Sequence, residues 1–401
     1  MCMLSNDEFI LLDELIYLEW DAYDDESVEE LVLDILKDDN LKILMDKMSN
    51  CVVSSTKEEW ERTLEQILTK PNLPKLVIIN VENHKSGMRT AAFKDSDENI
   101  IVVFRGTTTI KEWDDNGQGA YEYDTEQQIY ALNYVNSIDS DKIIVTGHSK
   151  GGNKAQYTTV RSPKVIKCVS INGQGFSNEF INKYKKLIDG NKEKIIAVNS
   201  KYDYVNCLFN SVAGETHYIK TSFQFNPLFY HKGSIMLDYD GNLRDETSRS
   251  IFAKIINDFS TSLVSDLPDD LKSITVDGLI SGIEAVLCKK QSSDRIIKII
   301  GSVLIMMTYG KYFKIKETFA LSYMVIQFLV LPLLFWADFI NVEETKNKEF
   351  LKDILNKMDK AAMTIINKLK LTEDSKNPIS KNLYGKFDIF INKLHGAVES
   401  L

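Results

Sequence analysis

The stretch from Asp141 to Ala155 restricts the folds open to the rest of the chain more than any other. Ile143-Ile144-Val145-Thr146 is a β-branched run suited to a buried strand. Gly147-His148-Ser149-Lys150-Gly151 follows without a spacer, and the residues beyond can continue as a helix. A Gly-x-Ser-x-Gly between a strand and a helix is a nucleophile elbow, a corner so sharp that side chains beside the serine would collide. It lifts the serine oxygen at the carboxyl end of a strand. The amide of Lys150 and the N-terminus of the following helix then direct partial positive charge toward an oxygen that gains negative charge. A glycine-rich turn with an incidental serine could share the spelling, but it would need neither strand nor helix at its sides.

The rest of the composition sets limits. A chain of 401 residues has room for one large core and an accessory region. Its net charge of −10 argues against a nucleic-acid backbone as principal partner. Cys2, Cys51, Cys168, Cys207 and Cys288 are scattered with no CxxC pair, as expected of a reducing compartment or of incidental core thiols. The acidic start, with no basic region ahead of an apolar run, predicts no Sec signal peptide. A cytoplasmic or membrane-associated location, or non-classical (type VII-like) secretion, stays open. No His/Cys cluster has zinc spacing, and Asp238-Tyr-Asp240-Gly241-Asn242 lacks the later acidic ligand of a calcium loop, so neither a metal nor another cofactor is expected. Asp240-Gly241 is the turn of a hairpin.

Periodicity divides the chain into residues 1–70, 71–245 and 246–401. The first part predicts helices over Asp7–Tyr17, Val28–Leu36 and from Ser54 to Leu68, a layer packed on the core. After Pro71 and Pro74 the pattern turns to strands, at Leu76–Val81, Met88–Phe93 and Ile100–Phe104. The last runs into Arg105-Gly106-Thr107, a loop placed to offer a second oxyanion donor. Glu112–Gly117 reads as a polar turn whose carboxylates cap a helix. A helix over Thr125–Val135 feeds the elbow strand. Strands at Val165–Ile171 and Lys194–Asn199 then alternate with a helix over Asn178–Ile188, the signature of an α/β fold with a mainly parallel central sheet.

A serine hydroxyl needs a base to take its proton, and the base needs a carboxylate to orient it. After such an elbow the chain order is serine, acid, histidine. Asp203 sits directly after the strand that ends at Asn199 and is the candidate acid. Of the histidines 84, 148, 217, 231 and 395, His84 precedes the serine and His148 lies within the elbow, where it supports the turn. His395 belongs to a terminal amphipathic helix. The base lies between His231 and His217. His231 is favoured, because Phe225–Gly233 is a loop, whereas Thr216–Thr221 alternates like a strand.

Beyond residue 245 strand signals fade, and the region reads as all-helical, with amphipathic helices over Ser248–Leu287 and Glu343–Leu371. Ile296–Met307 is apolar but carries Lys298. Residues 319–336 hold no charge and would span about 27 Å as a helix. Gln327, Ser322 and Pro332 favour a buried bundle helix over a membrane span, although Lys311, Lys314 and Lys316 flank one end.

Phe104-Arg-Gly-Thr107, Trp113 and Gly147-His-Ser-Lys-Gly-Gly152 together resemble the class 3 (fungal-type) lipases. Glu112-Trp-Asp-Asp-Asn116 and Gly147–Asn153 are more similar still to the bacterial Mbeg-like branch of the α/β hydrolases. The resemblance covers roughly residues 5–240. It implies an α/β-hydrolase fold with Ser149, Asp203 and His231 as catalytic triad and Thr107 on the oxyanion loop. The expected function is a serine ester hydrolase, lipase- or phospholipase-like, whose partner is a lipid or other ester substrate. A soluble esterase or thioesterase is the alternative. So is a lipase toxin whose C-terminal helices target it to a membrane surface or a helical protein partner.

Overall fold

The computed structural model describes residues 4–265 except 22–24, 38, 49–54, 86, 109–122 and 225–226. Beyond these it describes 267, 325, 327, 329, 331, 332, 334–370 and 378–400. The polar turn at 112–117, the helices read into 268–287 and the apolar run 296–307 lie outside the described residues.

The chain opens with four helices, α1 (Asn6–Leu15), α2 (Val28–Ile35), α3 (Asn40–Lys47) and α4 (Lys57–Thr69). Thr56 starts α4 with a reciprocal cap, its hydroxyl accepting the Glu59 amide while the Glu59 carboxylate accepts the Thr56 amide at 2.8 Å. The sequence reading lacks α3, a short segment that buries only Leu41 and Leu44.

Eight strands then form one sheet whose order in space is their order in sequence. They are β1 (Val77–Asn83), β2 (Arg89–Lys94), β3 (Ile100–Phe104), β4 (Ile143–His148), β5 (Val165–Ile171), β6 (Ile195–Ser200), β7 (Glu215–Ile219) and β8 (Glu246–Thr247). Strands β3 to β7 pair in parallel, while β1, β2 and β8 complete the two edges antiparallel. The protein is therefore α/β with a mostly parallel sheet. Helices α5 (Glu126–Ser137), α6 (Lys150–Arg161) and α7 (Asn178–Asn191) make the crossovers from β3 through β6. Each steps one strand in the same direction, so right-handed crossovers put all three on one face. The opposite face receives the N-terminal helices. Alternation along the strands serves both layers: Val102, Phe104, Val145 and Cys168 pack with the crossover helices, Ile101, Val103, Ile144 and Val169 with the N-terminal ones.

Helix α6 is polar in sequence, yet every residue from Lys150 to Val160 is buried. Its polar groups find partners in the layer around it. Asn153 accepts from Gln128 at 2.8 Å, Gln156 donates to Ser170 at 2.9 Å, and Lys154 donates to the Arg105 carbonyl at 2.9 Å.

The C-terminal part is helical where it is described, as α8 (Ile251–Ser265), α9 (Trp336–Thr345), α10 (Lys348–Lys370) and α11 (Pro378–Ser400). The single helix expected over 343–371 is instead two. Lys346 takes a left-handed φ of 56° that ends α9, and the Asn347 side chain accepts the Phe350 amide at 3.0 Å to start α10. Phe252, Phe259, Trp336, Leu351, Met358 and Phe390 share one core with Tyr202, Tyr204 and Tyr230 of the α/β part. Val325, Leu329 and Leu331 of the apolar stretch are buried in that core. No helix among the described residues is long and apolar enough to cross a membrane. Cys168 and Cys207 are free, buried thiols.

Beneath the elbow strand lies a buried acid. Asp13 of α1 sits 3.0 Å from the Thr146 hydroxyl, which is also 2.9 Å from the Val169 carbonyl. One hydroxyl proton cannot serve both. A protonated Asp13 resolves the conflict by donating to Thr146, which donates in turn to Val169. Burial raises the Asp13 pKa well above its usual 3.8, consistent with that neutral form. The folded state thus holds this proton more tightly than the unfolded chain. Its contribution to stability is complete below 3.8 and is lost as pH rises through the raised folded value. Asp13→Asn cannot ionise. In urea unfolding between about pH 4 and about pH 8, the midpoint of the variant should gain on that of the wild type as pH rises.

Candidate active site

Ser149 joins β4 to α6 with φ 60° and ψ −125°, a conformation that costs a non-glycine residue about 1–3 kcal/mol. The surroundings leave no other. Its amide donates to the Ile171 carbonyl at 2.9 Å and its carbonyl accepts from Asn153 at 3.2 Å. A Cβ on Gly147 would lie 2.4 Å from the carbonyl carbon of Gly151, and one on Gly151 would lie 1.9 Å from the Phe104 oxygen. The side chain of Ser149 is only partly covered.

His231, at the end of a short 3-10 turn from Pro227, reaches back to this corner. Its Nε2 lies 2.8 Å from Ser149 Oγ and its Nδ1 2.9 Å from Asp203 Oδ1. The carboxylate selects the tautomer with the proton on Nδ1, leaving Nε2 able to accept the serine proton. Asp203 is fully buried on the turn after β6. Its oxygens also accept the amides of Val205 at 3.0 Å and Asn206 at 2.9 Å, which fixes the carboxylate plane.

Asn172 and His148 have roles that the sequence reading did not assign. The His231 carbonyl accepts from His148 Nε2 at 2.7 Å and from Asn172 Nδ2 at 3.1 Å. Asn172 also accepts, through Oδ1, the Ser200 amide at 2.7 Å and Asn206 Nδ2 at 3.2 Å, so one amide ties the ends of β5 and β6 to the base. His148 receives the Tyr17 hydroxyl on Nδ1 at 2.8 Å. A neutral ring with its proton on Nε2 satisfies both partners. Burial, with the His231 imidazole beside it, pushes its pKa down to about 3. Its ring stands 4.6 Å from that of His231, and Tyr204 lies 5.7 Å away from the same imidazole. His148 therefore braces the histidine as well as the turn.

Thr107 is buried on the loop that leaves β3, and Lys150 is buried as the first residue of α6. That loop runs against the corner: a Cβ on Gly106 would lie 3.2 Å from Ser149 Cβ and 2.2 Å from the Tyr17 hydroxyl. His217 is not brought to Ser149. It stands in the middle of β7, with Nε2 2.7 Å from Glu215 and Nδ1 on Glu246. His84 packs tilted against Tyr130, and His395 is exposed on α11. Among the described residues no group of His, Cys, Asp and Glu could hold a metal ion. A cleft opens beside the histidine pair, lined by Tyr17, Met48 and Trp60 together with Glu14 and Lys232.

The Mbeg1-like family model matches residues 78–222, a span that holds Thr107, Ser149 and Asp203 and ends before His231. No curated protein matches the chain.

His148→Phe keeps a ring in place but deprives the His231 carbonyl of one donor and the Tyr17 hydroxyl of its acceptor. Urea unfolding should show a loss of about 1–3 kcal/mol, the usual cost of polar groups stranded in a buried setting.

Proposed function

We propose that the protein is a serine ester hydrolase of the α/β-hydrolase kind, acting on lipid or other acyl esters through an acyl-serine intermediate. One observation carries the reading: a hydroxyl on a strained corner, an imidazole and a buried carboxylate stand in hydrogen-bonded sequence at 2.8 and 2.9 Å. Ser149 Oγ attacks the ester carbonyl carbon as His231 Nε2 takes its proton. Asp203 holds the imidazolium that forms. The amide of Lys150 at the start of α6, and that of Thr107 on the neighbouring loop, are the proposed donors to the tetrahedral oxyanion. Collapse expels the alcohol, protonated by His231, and leaves the acyl group on Ser149. Water activated by the same imidazole then releases the acid. His148, with its pKa near about 3, stays neutral throughout and adds no competing charge.

A soluble esterase or thioesterase would use the same three residues, as would a toxin whose C-terminal helices meet a membrane surface or a helical partner. Acyl-chain preference measured with and without liposomes separates these.

A fluorophosphonate probe should label the wild type and leave Ser149→Ala unlabelled. Asp203→Asn should react roughly 10⁴-fold more slowly, because the amide imposes the wrong imidazole tautomer. Labelling should fall toward acid pH, because a protonated imidazole cannot take the serine proton. An unlabelled wild type, or equal labelling of Ser149→Ala, would overturn the assignment.

A further inference from the structure

The hydrolase reading needs Asp203 held still, and the groups that hold its turn are both local and far downstream in the chain. On the inner side the carboxylate is gripped by the amides of Val205 and Asn206. On the outer side the partners belong to α8 and α9. The indole Nε1–H of Trp336 donates to the carbonyl of Tyr202, the residue before the acid, at 2.9 Å, and both side chains are buried. The Tyr202 hydroxyl donates to the Glu344 carboxylate. Lys201 Nζ lies 3.3 Å from Glu344 and 3.4 Å from Glu343. Farther along the turn, Asn257 of α8 donates to the carbonyls of Cys207 at 2.6 Å and Phe209 at 2.8 Å. The turn is thus fastened before and after Asp203 by groups more than forty positions downstream.

The same contact reaches the base. The Tyr202 ring meets the Tyr230 ring edge-on at 5.4 Å, and Tyr230 immediately precedes His231. A displacement of Tyr202 therefore moves the acid through the backbone and the base through the aromatic pair. The electrostatics agree with a formed contact: the Tyr202 hydroxyl holds the Glu344 carboxyl below its ordinary range, and burial together with Glu344 keeps Tyr202 protonated.

We propose that α9 is a positioning element for the acid, in which Trp336 and Glu344 set the turn at Tyr202 so that Asp203 meets His231. The C-terminal helices are on this view part of the site's construction, and the proposal rests on the hydrolase reading only for its activity readout. Mere core packing would couple these residues to stability and leave the Asp203–His231 bond unchanged in any variant that folds.

The test uses the full chain with Trp336→Phe, Glu344→Gln and Tyr202→Phe. Nitrogen-15 histidine labelling locates the downfield Nδ1–H resonance of His231, identified by its loss in Asp203→Asn. In folded Glu344→Gln and Trp336→Phe that resonance should move upfield or broaden. Ester turnover should lose about three- to tenfold in kcat with little change in KM, since one neutral or charge-assisted hydrogen bond is at stake and substrate contacts are untouched. Tyr202→Phe combined with Glu344→Gln should be no worse than either alone. Glu344 is exposed, so its variant folds even if Trp336→Phe does not. A resonance and a kcat at wild-type values in Glu344→Gln and Tyr202→Phe would overturn the proposal. A resonance that moves in a protein with no esterase activity would instead sustain the positioning role and remove the hydrolase reading.

Discussion

The close approach of Gly151 to the Phe104 carbonyl is the contact on which the architecture depends. It leaves no space for a Cβ, so α6 can start against the end of β3 and force Ser149 into its positive-φ corner. The same closeness draws the whole helix between the sheet and its neighbours α5 and α7. Its asparagine, lysine and glutamine side chains must then be satisfied inside the protein, and they are. Position and polarity at the corner thus have one cause.

Much of this was legible in the sequence. The strand–glycine–serine–glycine–helix order defines β4 and α6, and β-branched runs alternating with helical periods define the parallel strands. The proximity of Ser149, Asp203 and His231 was within reach because histidines are few and the acid follows a recognisable strand. Three features were not legible. The burial of α6 contradicts its polar composition, because partners from α5, β3 and β5 decide it rather than any local period. Asn172 looks like any turn residue, and its bonds to His231, Ser200 and Asn206 exist only once the ends of β5 and β6 meet the 3-10 turn of His231. The break between α9 and α10 rests on a left-handed lysine, a conformation that composition would assign to glycine or asparagine.

Two ionisable groups are buried along the face of the elbow strand that meets the N-terminal helices, and both favour their uncharged forms. Asp13 lies under β4 beside Thr146, and His148 ends that strand against His231. The carboxylate of Asp203 is also buried, and it is filled by three donors. Such an arrangement places a neutral His148 next to the imidazole that faces Ser149.

The bond between Trp336 and Tyr202 joins residues 134 positions apart. A ribosome adds residues in order, so the sheet and its serine corner can form while α9 is still unmade. During that interval the acid's turn lacks its outer anchor. The nascent chain would pass through a stage in which Ser149, Asp203 and His231 are all present before the contact that sets Tyr202 is made.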